Sequence, residues 1–253
     1  MKCMRAEGKR DARSSADPSR KRGLRSTIAR SDMPCDSNFE SEKFAAGYRL
    51  IAGADEVGRG ALAGPVVAAA VILNPFDVPE GINDSKKLTR LRRERLDGEI
   101  RGRAIAFSIA RIEHFEIDQI NIHHASLLAM HEAIKGLNPP PDYVLIDGRH
   151  KLPNLACPQM TIIKGDCLSV SVAAASIIAK VARDCWMREY DEQFPGYGFA
   201  AHVGYNTRVH QEAIARLGPS AIHRLTFSGV QSYQAALDLR EEGTPLTSLS
   251  NSE

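Results

Sequence analysis

Tyr48-Arg49-Leu50-Ile51-Ala52-Gly53-Ala54-Asp55 is a short, mostly apolar segment, and Gly58-Arg59-Gly60 and the apolar run Pro65–Leu73 follow it closely. Apolar runs of this length, bounded by glycine or proline, are typical of strands, and the second run is apolar enough to be buried on both faces. The glycines between the two runs indicate a turn. These residues therefore predict an antiparallel hairpin at the start of the folded part of the chain.

Downstream of this hairpin, strand patterns become fewer and helix patterns prevail. The predicted elements are a helix from Thr89 to about Ile100, strands over Arg103–Ile112, Tyr143–Ile146 and Thr161–Ile163, and helices over about His123–Gly136, Ser171–Tyr190, Thr207–Leu217 and Gln231–Glu241. No internal repeat is visible. The order predicts an α/β fold with a mixed central sheet flanked by helices and with a helical C-terminal part.

The composition suits a globular domain: the chain has 253 residues, of which 43% are hydrophobic and 25% charged. The longest apolar run, Gly64–Leu73, is far shorter than the roughly 20 residues of a membrane-spanning helix, and no apolar core follows the basic N-terminus. The five cysteines form an odd set without a C-x-x-C pair, which indicates reduced thiols. We therefore expect a cytoplasmic protein, and we expect it to be a monomer.

The charge is distributed unevenly along the chain. The net charge of +2 combines +6 over residues 1–32 with −4 over the remainder, so it does not by itself indicate a nucleic-acid partner. Residues 1–42 are polar and aperiodic, which predicts a disordered basic tail, and residues 243–253 are expected to form another, leaving 43–242 as the folded domain. The first tail is a basic arm, an organelle presequence or the product of a start codon placed ahead of Met33. The early start codon, or a dispensable tail, is favoured because the acidic residues of this segment disfavour a presequence.

Four carboxylates lie near the ends of predicted elements: Asp55, Glu56, Asp147 and Asp166. Taken singly, each is an ordinary turn or surface acid. Neighbouring residues of a strand point to opposite faces, so Asp55 and Glu56 serve one site only if the strand bends or ends there, which the glycines permit. Four acids in one cleft repel one another unless a hard divalent cation neutralises them. The set therefore predicts a cation site, and two ions would hold the attacking and leaving oxygens of a phosphodiester.

The glycines after Glu56 do not indicate a nucleotide-binding loop. The pattern Gly58-x-Gly60-x-x-x-Gly64 lacks the spacing of the dinucleotide fingerprint, and Pro65 stands where the phosphate-binding helix would begin. The chain also has no G-K-[ST] of a P-loop, and its histidines show no metal-ligand spacing.

Six motifs, in chain order, resemble the signatures of ribonuclease HII, the bacterial type 2 ribonuclease H. They are Ala54–Gly60 (ADEVGRG), Asn83–Leu88 (NDSKKL), Leu145–Gly148 (LIDG), Lys164–Asp166 (KGD), Ala173–Asp184 (AAASIIAKVARD) and Gly204–Thr207 (GYNT). Each motif alone is weak, but the ordered set is highly specific and spans about residues 48–230. The resemblance implies the ribonuclease H-like fold.

The resemblance also implies an activity. Enzymes of this kind cut the RNA strand of RNA–DNA hybrids and the 5′ side of single ribonucleotides embedded in duplex DNA, leaving 5′-phosphate and 3′-hydroxyl ends, and they serve in ribonucleotide removal from DNA. The matching positions make Asp55, Glu56, Asp147 and Asp166 the catalytic carboxylates. They would bind Mg²⁺ or Mn²⁺, with two ions present when substrate is bound.

Substrate contacts are expected around the same motifs. Gly58 and Gly60 lack side chains that would block approach to the 2′-hydroxyl in the shallow minor groove, the group that separates RNA from DNA. Tyr205, at the family's matching position, is expected to stack on the deoxyribose beyond the cut. The residues expected to bind phosphates are basic: Arg59, Lys86, Lys87, Lys164, Lys180 and Arg183.

Two positions depart from the family pattern, and three rival interpretations are weaker. Val203 replaces the usual lysine, which removes one basic contact, whereas Thr226 replaces the more common serine and keeps the hydroxyl. A ribonuclease HIII would carry an additional folded N-terminal domain, which the polar residues 1–42 do not supply. A non-catalytic binder of hybrids has no use for four clustered acids, and a structure-selective or transposase-like DNA nuclease needs no ribose-sensing loop.

Overall fold

The computed structural model describes residues 36–233, all within the compact unit Pro34–Glu253. The strands are β1 (Ile51–Val57), β2 (Val66–Ile72), β3 (Ala106–Ile112), β4 (Tyr143–Asp147) and β5 (Gln159–Ile162). The helices are α1 (Asn38–Ala45), α2 (Arg90–Arg103), α3 (His114–Lys135), α4 (Val170–Gln193), α5 (Phe199–His202) and α6 (Arg208–Leu217), and a 3-10 turn covers Gly165–Cys167. None of the helices in this part of the chain is long and apolar enough to cross a membrane.

The five strands form one mixed sheet in the order β3-β2-β1-β4-β5. The strands β1, β2 and β3 are antiparallel neighbours, which confirms the predicted hairpin. On the other side of β1, β4 and β5 run parallel to it. The mixed sheet flanked by helices agrees with the predicted fold class, and it places the ends of β1 and β4 side by side.

Helices cover both faces of the sheet, which explains the continuous apolar run of β2. Alternate residues of β2, such as Val66 and Ala68, pack against α3 on one face. The residues between them, such as Val67 and Ala69, pack against α4 on the other face. Because β2 has no solvent-facing side, it shows no alternation of polar and apolar residues.

The N-terminal end of α4 lies directly across β1. A Cβ built on Gly53 would stand 2.1 Å from the carbonyl carbon of Ser171, so only glycine allows the two backbones to approach so closely. This close packing brings the start of α4, and the turn that precedes it, next to the strand that carries Asp55 and Glu56.

Helix α3 begins earlier than its apolar pattern predicts. It starts at His114, with a capping box between Glu113 and Glu116, and not at about His123. The two segments join at Asn121, whose φ of 61° and ψ of 162° are not helical. The side-chain oxygen of Asn121 accepts hydrogen bonds from the backbone amides of His123 and His124, so it starts the second segment much as an N-cap would.

The predicted boundary of the N-terminal tail at residue 42 is wrong. The helix α1 occupies Asn38–Ala45, and Glu40 is buried. Its Oε1 accepts hydrogen bonds from Ser169 Oγ at 2.5 Å and from the Ser171 amide at 2.9 Å. A carboxylate at the first turn of α4 is favoured by the helix dipole, and this contact holds α1 in place.

The terminal predictions otherwise fall mostly on residues that the structure does not describe. The tails expected for residues 1–35 and 243–253 lie outside the described residues. The predicted helix Gln231–Glu241 is described only as far as residue 233, and helical backbone begins there at Ser228.

Two buried arginines join the helical C-terminal part to the loop that follows β1. Arg183 donates to the carbonyl oxygens of Ala63, Pro65 and Val203. Arg224 donates to the carbonyl oxygens of Arg59 and Gly64. Both guanidinium groups are fully buried, so these charged hydrogen bonds fix residues 59–65 against α4 and the C-terminal segment.

Candidate active site

Three of the four predicted carboxylates meet where β1 and β4 run side by side. Ala54 pairs with Ile146 in the parallel register, so the next residues, Asp55 and Asp147, lie at the same edge of the sheet. Asp55, Glu56 and Asp147 each offer an oxygen within 4.8 Å of the others. The strand ends at Val57, one residue beyond Glu56, as two adjacent carboxylates that serve one site require.

Asp166 stands beside this cluster in the turn between β5 and α4. The preceding residue, Gly165, donates its amide to Asp147 Oδ1 at 2.7 Å, which ties the turn to β4. Asp166 accepts a 2.8 Å hydrogen bond from Lys86 Nζ. It is not one of the three acids within 4.8 Å of one another, but its charge is close enough to raise the pKa of both Asp55 and Asp147.

The electrostatics of the cluster favour the binding of a cation. Burial, followed by the charges of Glu56 and Asp147, raises the pKa of Asp55 well above its ordinary value. Burial also raises the pKa of Glu56, against the opposing effect of Arg59, and that of Asp147, against the opposing hydrogen bond from Gly165. Raised values mean that these acids hold their negative charges at a cost that a bound divalent cation would relieve. An all-oxygen donor set of this kind fits Mg²⁺ or Mn²⁺.

Sequence reasoning missed Asp84, a fifth carboxylate at this site. It is buried, and together with Asp166 and Cys167 it forms a second group of possible ligand atoms within 4.8 Å. Its Oδ1 accepts from the Lys86 amide at 2.9 Å, so it holds the backbone of that lysine in place. Asp84 belongs to the motif Asn83–Leu88, in which only the two lysines had been given a role.

Ser176 is a second residue that was not predicted. Its hydroxyl hydrogen-bonds to Asp55 and lowers the pKa of that carboxyl, and it lies 2.9 Å from the hydroxyl of Ser85. The serine stands in the otherwise apolar helix segment 173–179, which is the signal that could have identified it. A buried hydroxyl on an Ala-rich helix needs a polar partner, and here that partner is the cluster.

Four of the six predicted phosphate-binding residues are exposed: Arg59, Lys86, Lys87 and Lys164. Lys164 has a left-handed backbone with φ of 59°. Ion pairs join Lys86 to Asp166, Arg59 to Glu56 at 3.2 Å and Lys180 to Asp184 at 2.8 Å. Burial lowers the pKa of Lys86, but the hydrogen bond to Asp166 and the negative charges of Asp166, Asp55 and Asp84 together outweigh burial and leave the pKa raised.

The prediction that Arg183 binds phosphate is wrong. Its side chain is completely buried, and all three of its nitrogens donate to backbone carbonyls. Arg183 also gives Gly58 a role other than the expected approach to the 2′-hydroxyl, because a Cβ on Gly58 would stand 2.3 Å from Arg183 Nε. Gly58 is buried and leaves room for the arginine, whereas Gly60 is exposed with nothing within 4 Å of its Cβ position.

Tyr205 lies next to the glycine loop. It forms an isolated antiparallel bridge with Ala61, and the Leu62 amide donates to Gly204 O at 2.8 Å. Its half-buried ring packs against the guanidinium of Arg183, 5.5 Å from the ring centre. The ring of Tyr205 therefore packs on a guanidinium that three hydrogen bonds hold in place.

The two departures from the family pattern have different settings. Val203 adopts a left-handed conformation with φ of 44°, is half-buried, and accepts a hydrogen bond from Arg183 through its carbonyl. Thr226 uses its hydroxyl to donate to Asp118, which also accepts from the amides of Leu225 and Thr226. The threonine hydroxyl, which stands where the family more commonly has a serine hydroxyl, thus helps to hold this turn against Asp118.

A family model described as ribonuclease HII matches residues 52–230, most of the chain. The chain belongs to the ribonuclease HII family. A ribonuclease HII of Geobacter sulfurreducens is 56% identical over 203 residues, which cover 79% of this chain and 92% of that protein. Family membership makes the chain a ribonuclease H endonuclease, which acts on RNA–DNA substrates.

Solved structures agree on the fold. The crystal structure of ribonuclease H2 from Pyrococcus horikoshii OT3 matches with a TM-score of 0.65 at 22% identity, over 75% of this chain and 99% of that one. A crystal structure of Bst-RNase HIII in complex with Mn²⁺ matches with a TM-score of 0.55 at 21% identity, over 74% of this chain and 70% of that one. The ribonuclease HII match decides against the rival families, and divalent-metal dependence accompanies the family.

Proposed function

We propose that this ribonuclease HII cuts on the 5′ side of a single ribonucleotide embedded in duplex DNA, in addition to cutting the RNA strand of hybrids, and so serves ribonucleotide removal. The observation that carries the proposal is the adjacency of three features: the cluster Asp55–Glu56–Asp147, the loop Gly58–Gly60 and the ring of Tyr205. The cluster supplies the chemistry, and the loop and the ring supply selection.

The carboxylates Asp55, Glu56, Asp147 and Asp166 would hold Mg²⁺ or Mn²⁺, and two ions once substrate is bound. Divalent cations at such a site would stabilise the attacking and leaving oxygens of a phosphodiester. Hydrolysis would then produce 5′-phosphate and 3′-hydroxyl ends. The residues of the chain hold the donor atoms in place. The Glu56 amide donates to Asp55 Oδ1 at 2.8 Å, and the Gly165 amide orients Asp147.

The phosphates of the duplex would be held by basic residues around the cluster. Lys87 and Lys164 are exposed beside it. Lys86, Arg59 and Lys180 would leave their acidic partners and bind phosphate once a cation neutralises the site. Contacts of this kind position the duplex without reading its sequence, and they make affinity fall as salt rises. We further propose that the enzyme acts as a monomer in the cytoplasm.

Selection of the ribonucleotide would come from the exposed end of the loop and from Tyr205. Gly60 carries no side chain and its Cβ position is open, so the backbone there can approach the 2′-hydroxyl closely. Tyr205 would stack on the deoxyribose on the far side of the cut, and the guanidinium of Arg183 lies against the inner side of its ring. Recognition would then need a single RNA–DNA junction and would not need a run of several ribonucleotides.

The test is cleavage of a duplex with one ribonucleotide, in Mg²⁺, Mn²⁺ or chelator, with the cut mapped at nucleotide resolution. A cut 5′ of the ribonucleotide that needs metal is expected, and cleavage of uniform hybrids only would refute the junction specificity. Tyr205→Ala should lose roughly 5- to 150-fold on this substrate, the range for loss of one stacking contact, and much less on a uniform hybrid. Tyr205→Phe is the matched control, because it keeps the ring.

A further inference from the structure

Behind Tyr205 lies a group of buried histidines that the proposed chemistry does not use. His210 on α6 and His223 in the C-terminal segment are 0% and 1% exposed. Their Nε2 atoms are 3.0 Å apart, and His202 stacks on His210 with ring centres 4.3 Å apart. Two nitrogens at hydrogen-bonding distance need one proton between them, so the direction of donation must be set by their other contacts.

The backbone sets that direction. The Ser220 amide can only donate, and it points at His223 Nδ1 from 2.8 Å, whereas the Ser220 hydroxyl at 2.7 Å can donate or accept and the Ser220 carbonyl lies farther away at 3.3 Å. His223 Nδ1 is therefore the acceptor, and in the neutral ring the proton lies on Nε2. His223 Nε2–H then donates to His210 Nε2. The remaining proton of His210 lies on Nδ1, 3.0 Å from the carbonyl oxygen of Tyr205, which accepts it.

The last acceptor of these hydrogen bonds, the carbonyl of Tyr205, lies in the segment that carries the Tyr205 ring. The same carbonyl of Tyr205 accepts from the Thr207 amide at 2.9 Å, and the Tyr205 amide donates to His202 O at 3.0 Å. The main chain of Tyr205 is thus held at its amide and at its carbonyl. The bond from His210 ties the main chain of Tyr205 itself to α6, next to the bond from Gln211 to Asn206, while the bridge to Ala61 ties it to the glycine loop.

We propose that His210 and His223 form a relay of fixed proton direction that positions Tyr205 for its contact with the substrate. His210 is a positioning residue, because it touches the main chain of Tyr205 and no reacting atom. The inference rests on the proposed function in one respect, namely that Tyr205 stacks on the junction.

The surroundings keep the relay neutral. Burial, and then the proximity of His202, lowers the pKa of His210 to about 4, and burial with His210, His114 and His202 nearby lowers that of His223 to about 4. In the neutral state every ring nitrogen of the pair has a partner. A proton added to His210 would set its Nε2–H against the Nε2–H of His223 at 3.0 Å, and a proton added to His223 would set its Nδ1–H against the Ser220 amide at 2.8 Å, so the order of the relay holds only while both rings are uncharged.

The decisive experiment compares His210→Asn with His210→Gln. The asparagine amide lies near the position of Nδ1 and can still donate to the Tyr205 carbonyl, whereas the glutamine amide lies near Nε2 and reaches only His223. Both variants lose the ring and one hydrogen bond, so a merely structural role predicts equal effects. The relay predicts that Gln loses about tenfold more than Asn in kcat on the single-ribonucleotide duplex, the factor for one neutral hydrogen bond.

Two further measurements separate the possible failures. The long-range proton–nitrogen spectrum of the histidine rings should show the proton of His210 on Nδ1 and that of His223 on Nε2; the opposite tautomers would overturn the relay. Ile214→Val, a buried change on the same helix that leaves the relay intact, should lower stability with equal effects on junction and uniform hybrid substrates.

The outcomes also distinguish this inference from the proposed function. A wild-type enzyme that fails on the junction substrate, or a Tyr205→Ala variant without selective loss there, refutes the substrate proposal while the tautomers are still read by the spectrum. A selective loss in Tyr205→Ala combined with equal losses in His210→Asn and His210→Gln refutes the relay alone.

Discussion

Gly58→Ala should destabilise the fold through Arg183, although the two residues are 125 positions apart in sequence. The φ of Gly58 is +93°, which costs an L-residue about 1–2 kcal/mol. The new Cβ would stand 2.3 Å from Arg183 Nε and 2.8 Å from Cδ. These atoms are in the middle of the side chain, so the arginine cannot move aside without giving up a bond to a backbone carbonyl.

One such bond from a charged donor contributes about 1.5–3 kcal/mol. The sum is about 2.5–5 kcal/mol, a large part of the stability of an ordinary domain. Gly60→Ala is the matched control, because nothing lies within 4 Å of its Cβ position and its φ lies outside the left-handed region; its effect should stay within about 0.5 kcal/mol.

Urea unfolding of the two variants and the wild type, with midpoints and slopes fitted together, measures the difference. A Gly58→Ala protein that unfolds at the wild-type midpoint would refute the assigned role of Arg183. Cleavage gives the complementary result. Gly60→Ala should keep its stability and lose activity on the single-ribonucleotide duplex, because its methyl group would stand where the ribose is proposed to approach.

Four other predictions concern the carboxylate cluster, the N-terminal segment and the buried histidines. Asp55→Asn should abolish cleavage and, without metal, raise the melting temperature, because it removes a buried charge whose pKa is raised by burial and by its neighbours; a variant with full activity would remove Asp55 from the site. Deletion of residues 1–35 should leave turnover on short substrates unchanged, whereas Glu40→Ala should cost about 2 kcal/mol by leaving two buried donors without their acceptor, both measured by unfolding and initial rates. The free energy of unfolding should fall between about pH 6.5 and pH 4, by up to about 3 kcal/mol per residue for His210 and His223, because the unfolded histidines take up protons that the folded ones, with pKa values lowered to about 4, refuse; an equally steep decline in His210→Asn would contradict this.

The sequence was sufficient where a signal is local. The hairpin of β1 and β2 follows from apolar runs separated by glycines, and Thr89 caps α2 as its position predicts. Asp55, Glu56 and Asp147 were predictable as a group because they occupy the ends of strands, and the order of the motifs did the rest.

The sequence was insufficient where the direction of a side chain decides its role. Arg183 stands in a basic motif with Lys180, yet the helix turns the arginine inward and leaves the lysine partly exposed. Asp84 resembles a turn residue until the fold brings it beside Asp166. Glu40 lies in a polar segment with no periodicity, and its partner Ser169 is 129 positions away.

The hydrogen bonds of Arg183 and Arg224 have a consequence for how the chain can vary. Their acceptors along residues 59–65 are main-chain oxygens, which every amino acid provides. As far as Arg183 and Arg224 are concerned, substitutions in that segment are therefore limited by space and by backbone angle, and not by any need to preserve a hydrogen-bond acceptor. The donor positions have no such freedom, because a lysine ammonium cannot reproduce the planar fork of a guanidinium. The contact between the loop after β1 and the C-terminal helices thus depends on two arginine side chains that bind main-chain oxygens. A substitution in the loop therefore needs no compensating substitution at either arginine.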